Sequence, residues 1–161
     1  IYYPFLNYTD CNLDSAREMM LAPHTVFGGS DGGAHCGTIC DVSLPTFNLS
    51  HWGRDRKRGE KIPIEWIVHK QTLGTALIHG LNDRGCLKEG LLADINIIDL
   101  KEVGIETPKI SHDLPTGASR LVQGAKGYKA TIKSGIPIFI EGESTSELPG
   151  KLVRGPQKLA L

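Results

Sequence analysis

His24-Thr25-Val26-Phe27-Gly28-Gly29-Ser30-Asp31-Gly32-Gly33 is a brief β-prone run that stops abruptly in glycines. Thr, Val and Phe favour an extended, half-buried backbone, and the glycines permit torsions closed to other residues. The pattern predicts a short strand with Asp31 just past its carboxyl end. A carboxylate placed there suits general acid/base work, because the strand fixes its position while the glycines let a substrate or a metal-bound water approach closely. The competing reading is an Asx-type turn in which Asp31 only caps its own loop.

On the amino side, residues 10–22 (DCNLDSAREMMLA) set Leu13, Arg17 and Met20 at helical spacing, with Asp10 or Asn12 as N-cap and Pro23 as a stop. On the carboxyl side, residues 34–61 combine Gly, Pro, Cys, two His and the cluster RDRKRGEK with poor periodicity. They read as a long connection holding a helical turn or two, and loops of that length in compact domains are usually functional. From Pro63 to Leu81 the residues Ile64, Ile67, Val68, Gln71, Thr72, Thr75, Ala76 and Ile78 predict one amphipathic helix, with Pro63 in its first turn and Gly80 ending it. Beyond Asn82 come short β-prone runs at 93–100, 118–124, 128–133 and 136–141. Helices confined to the first part and strands dominating the rest argue for two structural units, 1–82 and 83–161, meeting near Asn82 to Arg84.

A chain of 161 residues, 40% of them hydrophobic, is long enough for one real core. Eighteen basic residues balance eighteen acidic ones, so the composition supplies no field that would draw nucleic acid or an anionic membrane. The first residue is Ile rather than Met, and the start reads as internal. No apolar run approaches the roughly 18–20 residues that span a bilayer; the expectation is a soluble, cytoplasmic protein. Cys11, Cys36, Cys40 and Cys86 are unevenly spaced, unlike a disulfide framework, and are expected to be reduced thiols packed as small hydrophobes. His35, Cys36 and Cys40 lie close together, but they lack the second ligand pair that a structural zinc requires.

Several segments taken together are more specific than any one. They are GGSDGGAHCGTICDVSLPTFNLSHWGRDR (28–56), GTALIHGLNDRG (74–85), CLKEGLLADINIIDL (86–100), HDLPTGASRLVQGAKGY (112–128) and LPGKLVRG (148–155). In this order they resemble the C-terminal part of the amidohydrolase superfamily, most closely its N-acyl-D-amino-acid deacylase (D-aminoacylase) branch. The resemblance implies an α/β plus β architecture: the last strand and helices of a TIM-type (β/α)8 barrel, followed by part of a small β-sandwich-like domain. The run His24–Gly29 would be the eighth strand, and Pro63–Leu81 the final barrel helix. Active-site groups would lie at the carboxyl ends of the strands.

The resemblance also implies roles. Asp31 takes the position of the aspartate that accepts a proton from a zinc-bound water, passes it to the leaving amide nitrogen and sits near, or weakly on, the metal. Apart from the resemblance, the position of His35 just after Asp31 would let it bond the substrate or orient that carboxylate, and Arg54 or Arg56 on the following loop could grip the substrate carboxylate through a bidentate fork; a solvated basic loop is the competing reading of RDRKRGEK. Asp94 reads as a structural aspartate fixing a turn. The other metal ligands of the family are not among these residues, so the segment by itself is expected to be inactive and to bind no metal tightly. The expected substrate is a small N-acyl amino acid, and an orphaned barrel strand would invite dimerisation through its edge. Two other readings stand beside this one: a cyclic-amide hydrolase of the dihydropyrimidinase type, and a non-catalytic β-rich interaction module.

Overall fold

The structure is a computed structural model that describes residues 9–28, 37 and 40–158. Helix α1 (Asp14–Leu21) starts after Asn12, whose side-chain oxygen accepts the Asp14 N–H at 2.8 Å. Ala22, extended at φ −60° and ψ 138°, ends it just before Pro23. Thr25–Gly28 follow, and here the expected strand is not formed: among the described residues these positions join no ladder. A β-strand is held by its neighbours, and no described strand pairs with this run.

The expected long loop is helical instead. A 3-10 turn (Asp41–Ser43) leads into α2 (Leu44–Phe47), which continues as widened π-helical turns over Asn48–Asp55. Its buried face carries Thr46, Asn48 and Ser50 beside Leu49 and Trp52, so no apolar stripe marks it in the sequence. Two of these polar groups have described partners. Ser50 Oγ donates to the Thr46 carbonyl at 2.9 Å, and Thr46 Oγ1 shares a hydrogen bond with the Tyr128 hydroxyl at 2.8 Å.

The single helix expected over 63–81 is two. Helices α3 (Ile64–Gln71) and α4 (Leu73–Ile78) break at Thr72, which sits at φ −125° and ψ −97°. Thr72 bonds back to the Val68 carbonyl at 2.6 Å, a habit that bends helices. Gly85 also approaches the start of α4 so closely that a Cβ there would lie 2.9 Å from Leu73 Cα. Pro63 stands before the first turn rather than in it, extended at ψ 133°.

The strands are β1 (Ile95–Ile98), β2 (Gly104–Ile105), β3 (Lys109–Ser111), β4 (Arg120–Val122), β5 (Ala125–Lys126), β6 (Tyr128–Lys133), β7 (Ile136–Ile140) and β8 (Glu143–Ser144). One antiparallel sheet has the order β1-β6-β7-β8. The pairs β2–β5 and β3–β4 are joined by the Glu106 N–H donating to the Gly124 carbonyl at 2.9 Å, giving one antiparallel ribbon over residues 104–126. At its tip Arg120 forks onto Asp113 at 2.8 and 2.6 Å and holds that carboxyl down to about 2. The sequence reading missed β2, β3, β5 and β8, which are too short to show alternation.

Every described α-helix precedes Asn82 and every described strand follows it, yet one core crosses that line. Leu49, Trp52, Ile62 and Ile67 from the helical part bury against Val103 from the ribbon's base, with Leu13, Met20, Phe27 and Ile98 packed around them. Gly127 makes this closure feasible: at φ +85°, its Cβ would fall 2.5 Å from the Val103 backbone. The described cysteines do not join this core. Cys11 and Cys86 are exposed and Cys40 is half-buried, because they lie in turns rather than on packed faces, and Cys36 is outside the described residues. Among the described residues, no helix is long and apolar enough to cross a membrane.

Asp94 fixes a turn. Its carboxylate accepts Lys133 Nζ at 2.8 and 3.1 Å, the Ser134 N–H at 2.9 Å and Arg84 Nη1 at 3.4 Å, tying the β6–β7 turn to the segment before β1. Burial pushes its pKa up, but the bonds from Lys133 and Ser134 outweigh it and the net shift is downward. A folded pKa below the unfolded one stabilises above the ordinary carboxylate range, and the gain disappears as pH falls through the folded value. Asp94 is exposed, so solvent screens these pairs, and Asp94→Asn is expected to lose about 0.5–1 kcal/mol at neutral pH in urea unfolding, with the gap from the unmodified chain closing below roughly pH 4. A gap independent of pH would contradict the assignment.

Candidate active-site frame and a basic pocket

Asp31 and His35 lie outside the described residues, and so does Cys36. What the structure describes is the frame that leads to them. Lys70, on α3 and only 5% exposed, sends its ammonium to the carbonyl of Ala22 at 3.1 Å and also to that of Thr25. The same ammonium lies 4.8 Å from the centre of the Trp66 ring, and Trp66 Nε1 donates to the Met20 carbonyl at 3.3 Å. One face of α3 thus grips both the end of α1 and the run that follows it. Phe27 packs onto the core, so the chain is also anchored immediately before Gly28.

Arg54 and Arg56 have different fates. Arg54 Nε and Nη2 meet the two oxygens of Asp55 at 2.7 and 2.6 Å, and its Nη1 donates to the carbonyls of Leu100 and Lys101 at 2.7 and 3.0 Å. The hydrogen bond between them raises the Arg54 pKa and lowers that of Asp55. Its fork is already engaged. Arg56 is not a solvated loop residue at all: it is 4% exposed, 4.6 Å from the centre of the Trp52 ring, with Nε on the Arg58 carbonyl at 2.6 Å and Nη2 on Asp14. Its Nη1 is shut off from solvent with no acceptor among the described residues. An orphaned buried donor of this kind costs about 1–3 kcal/mol. Lys57 and Arg58 are exposed, as a basic loop would have them.

Asp55, Arg56, Lys57 and Arg58 line a pocket of about 360 Å³ together with Asn12 and Leu13, which precede α1; Arg54 is not part of its lining. His51, stacked on Phe47 with ring centres 4.8 Å apart, also faces it. Burial, and then the Arg56 charge, push the His51 pKa down, so this imidazole is neutral at pH 7.

A profile of the Amidohydrolase family matches residues 7–139. The chain belongs to the amidohydrolase family. No curated protein and no solved structure matches it. The matched span of this amidohydrolase takes in α1, the run before Gly28, Asp31, α3 and α4, and the whole 104–126 ribbon. Membership makes it a hydrolase. The metal that the family commonly carries has no home among the described residues, which contain no group of three His, Cys, Asp or Glu side chains arranged to hold an ion; a ligand set would have to draw on residues outside them.

Sequence reasoning missed Lys70, which positions the frame, and did not foresee the burial of Arg56. A signal was present. Trp66 and Lys70, like Trp52 and Arg56, stand four residues apart, the spacing at which helical side chains meet and a cation can cover an indole face.

Proposed function

We propose that this amidohydrolase cleaves the amide bond of N-acyl-D-amino acids, with Asp31 accepting the proton of the attacking water and delivering it to the leaving amine. The observation that supports the reading is the clamp of Lys70 on the carbonyls of Ala22 and Thr25, which ties to α3 the run that in sequence precedes the glycines and Asp31. A helix, an extended run and a further helix is the order expected at the closing unit of a (β/α)8 barrel. Segments 112–128 and 148–155 favour the deacylase branch over a cyclic-amide hydrolase. Zinc is the cofactor proposed with this chemistry, its ligands lying beyond the described residues.

His35, four residues after Asp31, is proposed to bond the substrate or to orient that carboxylate. Arg54 is the weaker half of the substrate proposal, since a substrate carboxylate would compete with Asp55 for its fork.

The test is elemental metal analysis together with hydrolysis of N-acetyl-D-amino acids, their L-enantiomers and a dihydropyrimidine, for this chain and for the full protein from the same gene. Zinc and D-selective deacylation in the full protein are expected. Ring opening of the cyclic amide would transfer the reading to the dihydropyrimidinase type, and a folded full protein inert toward both would reject it.

A further inference from the structure

Lys70 is a buried cation whose described partners are all uncharged. Its ammonium donates to the carbonyls of Ala22 and Thr25 and lies 4.8 Å from the centre of the Trp66 ring. No carboxylate among the described residues pairs with it. At 5% exposure it has lost most of its water, a cost that an apolar side chain of the same length would avoid. Such a group adds little stability but fixes geometry, because both carbonyls must point at one nitrogen.

Its neighbours pin the same stretch of chain. Trp66, one turn earlier on α3, donates Nε1 to the Met20 carbonyl at 3.3 Å, and Thr25 Oγ1 closes back onto the carbonyls of Met19 at 2.7 Å and Ala22 at 2.9 Å. Carbonyls at the end of α1 that lack a helical partner are thus taken up by side chains, and a positive charge there suits the helix dipole. Phe27 then packs on the core immediately before Gly28. Glycines bring no side chain to hold a backbone in place, so the point at which the chain enters Gly28-Gly29 is set by the anchors before it. We propose that Lys70 is a positioning residue of this amidohydrolase: through Ala22 and Thr25 it sets the point from which the glycines lead to Asp31, and so governs turnover and not only the fold. The inference rests on the reading of Asp31 as the proton-transferring carboxylate.

The test is a double-mutant cycle in the full protein, with kcat and KM measured per folded molecule on the substrate it turns over. Lys70→Met keeps the side chain's length and its packing on Trp66 but has no donor, while the Ala22 carbonyl still accepts from Thr25. Thr25→Val, which removes only the two Oγ1 bonds, is the milder variant that replaces it in the cycle if Lys70→Met does not fold. Lys70→Met is expected to lower kcat by about 10–100-fold with KM unchanged, Thr25→Val to lower it less, and neither to add a loss in the Asp31→Asn background. Unchanged kcat in the folded variant, or the same proportional loss with and without the Asp31 carboxylate, overturns the inference and leaves Lys70 as a strut of the fold. Turnover retained by Asp31→Asn alone rejects the underlying reading, and this inference with it.

Discussion

Asp31→Asn in the full-length amidohydrolase is expected to lower kcat for an N-acetyl-D-amino acid by about 10²–10⁴-fold while KM and the folded spectrum stay unchanged. Asn matches Asp in size and still makes the Asx-type hydrogen bonds that hold a turn, so the local backbone is preserved. It cannot take up a proton. The substitution therefore separates the two readings of Asp31. A catalytic carboxylate loses turnover together with the limb of the pH profile that reports the base, whereas a mere loop cap loses neither. A decrease of less than about tenfold would assign Asp31 to the turn and take the general base elsewhere.

Trp52→Ala is expected to destabilise the chain by about 3–5 kcal/mol in urea unfolding, close to the limit a small domain tolerates. Trp52 is 4% exposed at the centre of the cluster formed with Leu49, Ile62, Ile67 and Val103. Three kinds of contact end together. The apolar packing leaves a cavity, the Arg56 guanidinium loses the ring 4.6 Å beneath it, and His51 loses the edge of an indole 5.3 Å away. The carbonyl of residue 52 still accepts the Ile62 N–H at 2.9 Å, so the loss belongs to the side chain. Because Val103 closes the same cluster from the ribbon, unfolding should remain one transition rather than two. A loss below about 1 kcal/mol would mean that the helical turns over residues 48–55 do not form the core.

Strand positions were legible where the runs were long. The runs at 93–100, 128–133 and 136–141 became β1, β6 and β7 with small trims at their ends, because four or more β-prone residues between turn residues leave a local signal. The helix over 14–21 was legible from spacing and a stop. Residues 41–55 were not, because their buried positions include the polar Thr46, Asn48 and Ser50, and burial of Thr46 and Ser50 becomes favourable only once the Tyr128 hydroxyl and the neighbouring carbonyls are in place. Nor was the break at Thr72, which depends on Gly85 lying against α4. For the site, the carboxylate in its glycines could be singled out from the residues alone, whereas the fork of Arg54 could not, and the burial of Arg56 had only the spacing of Trp52 to signal it.

The sequence by itself therefore determined the succession of helices before Asn82 and strands after it, the family and the identity of Asp31 as the carboxylate to test, since these rest on local composition and on motifs read in order. Tertiary structure alone decided which cations are buried, that Val103 and Trp52 share a core, and that Lys70 holds the run before Gly28. Each of these is a contact between residues far apart in the chain, and its energy exists only after the intervening segments have brought the partners together.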